Sequence, residues 1–109
     1  MVHPVITSEG DEVFVTEHCA FRYHERVCLD AHITAARGDL RRRISEEGII
    51  QLARPDWLPP IQTGSRTRYQ DLHTNIGYLL LGDDLALPLT ETTSGQLVAR
   101  TVLRRGFTR

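Results

Sequence analysis

Ile76-Gly77-Tyr78-Leu79-Leu80-Leu81-Gly82-Asp83-Asp84-Leu85-Ala86-Leu87-Pro88-Leu89 is the stretch that decides the fold. Two short apolar runs flank a Gly-Asp-Asp turn, the mark of a hairpin. Leu85, Leu87 and Leu89 alternate with other residues. After a turn-rich segment at 90–95, Leu97, Ala99, Thr101 and Leu103 alternate again. A period of two gathers these residues on one apolar face of an antiparallel meander. Pro88 has no N–H to donate, which predicts an edge position or a strand end.

Upstream of the meander the period changes. Ile49-Ile50-Gln51-Leu52-Ala53 reads as a strand, ended by Arg54-Pro55-Asp56-Trp57-Leu58-Pro59-Pro60, with a polar loop over 60–74. Ile33, Ala36, Leu40 and Ile44 have helical spacing. Asp30 is expected to cap that helix, Gly48 to close it, and Asp39 to pair with Arg43 one turn on. Residues 12–16 read as a short strand of β-branched and aromatic side chains. Thr16 then suits the N-cap of a first helix, with Cys19, Ala20, Tyr23 and Val27 on its core face. Residues 1–10 read as a loose leader. The order β-α-α-β-β-β-β predicts an α+β fold in one domain spanning 1–109. Two N-terminal helices pack on one face of a mostly antiparallel sheet that ends in a β-meander.

The chain has 109 residues, 40% hydrophobic and 25% charged, with net charge −1. That is ordinary globular composition for one small domain. No apolar run is long enough for a membrane span, and the N-terminus lacks a signal-peptide pattern, so a cytoplasmic location is expected. Cys19 and Cys28 lie too far apart along a continuous helix for a disulfide, and reduced thiols are expected. All 13 basic residues are arginine, as GC-rich coding in an actinobacterium or one of its phages would give. The near-neutral charge excludes a global field for nucleic acid, so any such binding is local.

The sharpest chemical pattern is in the first helix. His18, Arg22 and Arg26 recur every four residues and fall on one ridge of its solvent side. An imidazole with two guanidiniums suits a phosphate or carboxylate. Arg100 and Arg104, expected to alternate on one face of the last strand, are candidates to extend the positive patch, and His73 in the loop before the meander is a further substrate-binding candidate. His24, Cys28 and His32 share the same spacing on a neighbouring ridge, but a helix break at Asp30 argues against a metal site. No metal or cofactor is expected. Arg41, Arg42 and Arg43 read as a solvated helix end, and Trp57 as a core anchor.

The segment His18-Cys19-Ala20-Phe21-Arg22-Tyr23-His24-Glu25-Arg26-Val27 resembles the H-x3-R-x3-R helix of a group of small bacterial and phage domains of unknown function. That group is distantly similar to the BrnT and RelE toxins. The segments 78–89 and 98–103 resemble its terminal meander, and Pro55-Asp56-Trp57-Leu58 the link before it. The likeness covers roughly residues 12–105 and implies a compact RelE/BrnT-like fold, some members of which cut RNA.

On that implication the protein binds RNA and cleaves it without a metal, as an endoribonuclease of toxin type. His18 would serve as general acid or base, and Arg22 and Arg26 would hold the scissile phosphate. A protein partner, an antitoxin or a host protein, goes with this picture, and monomer and homodimer both stay open. The competing expectation is a non-enzymatic, phage-encoded interaction protein that docks on a host protein through the meander edge or the 59–75 loop.

Overall fold

The structure, a computed structural model, describes residues 4–58 and 76–105. Among them the chain runs β1 (Pro4–Ile6), β2 (Glu12–Val15), α1 (Glu17–Arg26), α2 (Ile33–Glu47), β3 (Gly48–Gln51), β4 (Gly77–Leu81), β5 (Leu85–Glu91), β6 (Leu97–Ala99) and β7 (Leu103–Arg104). The strands form one sheet in the order β1-β2-β6-β5-β4-β3, with β7 also paired to β5. The class is α+β, but the layout differs from the expected one. The helices are central in the sequence rather than N-terminal, and the sheet is mixed.

Two pairings account for the difference. Pro4–Ile6 is not a leader but a strand, antiparallel to β2 through Pro4↔Phe14 and Ile6↔Glu12. Val5 explains why, since its side chain is buried in the main core beside Val13 and Val15. Strand β2 then runs parallel to β6, Val13 facing Leu97 and Val15 facing Ala99. A parallel pair needs a long crossover. Here both helices and the β3-β4-β5 meander lie between its strands.

Helix α1 starts where the sequence places it. Thr16 is the N-cap, its hydroxyl accepting from the Cys19 N–H at 3.0 Å, and Glu17 faces the positive end of the helix dipole. Helix α2 is capped by His32 rather than Asp30, the ring Nδ1 accepting from the Thr34 N–H at 3.2 Å. Gly48 ends α2 as expected. Only glycine fits there, because a Cβ would come within 2.5 Å of the Ile44 carbonyl oxygen. Gly82 sits in the β4–β5 turn at φ +63, the left-handed region that glycine enters at no steric cost.

The core lies between helices and sheet. Cys19, Tyr23, Ala36, Leu40 and Ile44 meet Leu79, Leu81, Leu85, Leu87 and Leu89, all essentially without solvent exposure. Each such leucine contributes about 1.5–3 kcal/mol through removal of its surface from water. The opposite sheet face is also apolar near its centre. There Leu58, Tyr78 and Ala86 form a second cluster, flanked by Trp57, Leu80 and Leu103. Trp57 is thus an anchor, but on the side away from the helices.

The sheet curls, and its two ends meet. Although β1 and β3 are at opposite ends of the strand order, Ser8 in the β1–β2 turn donates to the Gly48 carbonyl from its N–H at 3.2 Å and from its hydroxyl at 2.7 Å. No described helix is long and apolar enough to cross a membrane.

Candidate functional site

Strand β5 anchors the region where the arginine stripe of α1 meets the sheet. Pro88 is in its interior, opposite Tyr78 of β4, and not at an edge or an end. The other flank of β5 explains how this is tolerated. Pairing with β6 runs from Glu91↔Leu97 to Leu89↔Ala99, stops, and resumes with β7 at Ala86↔Leu103, one residue out of register. Residues 100–102 are therefore a bulge facing Pro88, where the ladder is already interrupted and a missing N–H costs little.

A bulge orphans main-chain carbonyls, and α1 supplies their partners. The Cys19 thiol points to the Thr101 carbonyl oxygen at 3.7 Å. The Arg26 guanidinium donates to the Val102 carbonyl oxygen. In return, the Arg104 guanidinium donates to the Arg26 carbonyl oxygen at 2.7 Å, satisfying the last turn of α1. Arg26 and Arg104 thus form a reciprocal clasp between helix and bulge.

The remaining stripe residues do not join them. Arg22 donates to His18 Nε2 at 3.2 Å and pairs with Glu25 at 2.9 Å, all on the exposed side of α1. Arg100 reaches Thr90 Oγ1 at 3.4 Å, across to β5. His73 lies outside the described residues. The H-x3-R-x3-R pattern therefore divides between a surface ion pair, with His18 beside it, and a structural clasp.

The second histidine ridge is likewise spread out. His24 Nε2 contacts the Ala31 carbonyl oxygen at 2.7 Å, His32 caps α2, and Cys28 faces Asp39 at 3.7 Å. Among the described residues no group of three His, Cys, Asp or Glu side chains is arranged to hold a metal.

A polar network that no sequence spacing announces ties α1 to α2. The buried Tyr23 hydroxyl donates to Asp39, which also accepts from Arg42. Asp39 thus pairs with Arg42 and not with Arg43. Arg43 instead grips Glu47 through two bonds at 3.1 Å and approaches Asp84 of the β4–β5 turn at 3.6 Å. Burial, then the bond to Asp39, holds the Tyr23 hydroxyl well above its ordinary pKa. The Tyr23 bond and Arg42 hold Asp39 below the usual carboxylate range. Burial alone pushes the Cys19 thiol up to about 12. These shifts stabilise the charge states already present at neutral pH, and the bonds of Asp39 to Tyr23 and Arg42 brace α1 against α2.

Among the described residues, one surface feature with unmet bonding capacity is the outer edge of β3. Its only strand partner is β4 among the described residues. Beyond Gly48, whose carbonyl Ser8 occupies, strand alternation turns the Ile50 N–H and C=O to the same outer side. Exposed apolar side chains sit around this edge: Leu52 at 81%, Ile49 at 47% and Ile76 at 39% exposure. The Leu52 side chain lies over Gly77 at the start of β4, within 3.6 Å of where a Cβ there would be. The edge is short, four residues in β3, and the stretch from Gly48 to Ala53 carries neither the charge nor the proline that often blunts a sheet edge.

Compared with known proteins, the chain matches no protein-family model, no curated protein and no solved structure.

Proposed function

We propose that this protein is a non-enzymatic binding domain that takes an extended strand of a protein partner along the outer edge of β3. The observation that carries this reading is the outer edge of β3, which pairs with no strand among the described residues and lies near exposed Ile49, Leu52 and Ile76. A strand added there gains main-chain bonds at Ile50 and covers three apolar side chains that otherwise face water. The RNA reading draws less support. It needs Arg22 and Arg26 to hold one phosphate, whereas Arg22 is directed to His18 and Glu25 on the exposed side of α1 and Arg26 to the Val102 carbonyl oxygen.

The test is selection of a displayed random-peptide library on the immobilised full chain. Peptides with alternating apolar residues are expected to be enriched, and to be lost from the Ile49→Lys, Leu52→Lys double variant. Both side chains are exposed, so that variant retains the fold, as circular dichroism would verify. Equal recovery on both proteins overturns the reading, as does single-stranded RNA retained tightly by both.

A further inference from the structure

Beside the β3–β4 edge, on the face turned away from the helices, is an open cavity of about 590 Å³. Gln51, Arg54, Asp56, Trp57, Leu80 and Arg105 contribute to its lining. Its size falls in the range of small-molecule sites, roughly 300–1,000 Å³. One part of the lining is apolar, because Trp57 and Leu80 flank the second core cluster. The other part is cationic. Arg54 donates to the Leu58 carbonyl oxygen and Arg105 to the Asp83 carbonyl oxygen at 3.4 Å. Neither takes part in any ion pair among the described residues. A guanidinium has five N–H donors, so each of these retains donors for a ligand. Among the described lining residues Asp56 is the single carboxylate, set against two guanidiniums, so their summed charge is positive.

We propose that this cavity binds a small anion bearing a flat apolar ring: an aromatic phosphate monoester or an aromatic carboxylate. Arg54 and Arg105 hold the anionic group, for which the planar guanidinium fork is matched in geometry. The ring lies against Trp57 and Leu80, where it displaces water from apolar surface. A bare inorganic ion leaves that apolar wall wet, and an uncharged aromatic leaves the arginine donors unused. Both halves are needed. The proposal does not depend on the β3 edge reading, because it uses none of Ile49, Leu52 or Ile76.

Trp57 is the chain's single tryptophan, so its fluorescence reports occupancy directly. The full chain is titrated with phenyl phosphate and with benzoate, and separately with inorganic phosphate and with benzyl alcohol, calorimetry running in parallel. The expected result is a saturable fluorescence change with phenyl phosphate, benzoate or both, the two arms telling phosphate from carboxylate. Either half alone binds at least roughly tenfold more weakly, and so does the Arg105→Gln variant with the intact ligand. Arg105 is exposed, and its thermal unfolding control shows whether the fold is kept. Arg54→Gln repeats the loss, and a folding defect in it leaves Arg105→Gln as the deciding variant. Equal binding of benzyl alcohol, equal binding of inorganic phosphate, no response to any probe, or full binding by Arg105→Gln overturns the proposal.

Discussion

Arg26 is the residue at which a surface pattern turns into a structural part. Its spacing from His18 and Arg22 is legible in the sequence. Its partner is not, because the Val102 carbonyl lies 76 positions away and is orphaned by a bulge that no local spacing announces. The consequence is a split within the stripe. Arg26→Gln should lower stability by roughly 1–3 kcal/mol, the cost of leaving a buried acceptor unsatisfied. His18→Ala and Arg22→Ala should each change it by less than about 0.5 kcal/mol, since their contacts are exposed. Urea unfolding of the three variants checks this. Equal losses across the stripe would mean that Arg26 is as superficial as the others.

At the scale of elements, local signals read well and long-range ones poorly. Thr16 as N-cap, Gly48 as helix end and the β4–β5 hairpin all follow from residue type and short spacing. His32 displacing Asp30 as cap, and Pro88 inside a central strand, do not. The first turns on where the chain bends after Cys28, and the second on the bulge across from the proline. Gly48→Ala tests the tightest junction. The added Cβ meets main chain, which cannot swing aside, so a loss of roughly 1–3 kcal/mol is expected, read as a lowered melting temperature. An unchanged melting temperature would mean that α2 and β3 shift apart freely.

The Tyr23–Asp39–Arg42 network also belongs to the element scale, since it fastens α1 to α2. Asp39 has a folded pKa below its ordinary value, so its contribution is complete above about pH 4 and is lost as pH falls through the folded value. Asp39→Asn should therefore flatten the acid limb of the stability curve while lowering stability at neutral pH. Urea unfolding between roughly pH 2 and 7 reads both effects. A mutant curve parallel to that of the native chain would remove Asp39 from the acid response.

For the whole molecule, the class of fold was legible and its topology was not. The meander announced a sheet, and the helical periods announced what covers it. The β1 strand escaped because three residues, one of them proline, give too short a pattern to tell from a leader. Once Pro4–Ile6 pairs with β2, β2 can lie parallel to β6, and the sheet curls until Ser8 meets Gly48. That closure occupies the start of β3 and leaves the outer main-chain groups of Ile50 without a partner among the described residues. The arginine-rich helix stands out in the sequence, whereas open main-chain bonding capacity among the described residues is found on β3.

Residue-resolved amide hydrogen exchange, with and without a peptide selected on the full chain, tests the β3 edge as a binding surface most directly. The Ile50 amide, unpartnered among the described residues, should exchange quickly in the free protein and become strongly protected when the peptide is bound. Protection confined to α1 around His18 and Arg22, with Ile50 unchanged, would contradict that role and return the binding surface to the arginine stripe.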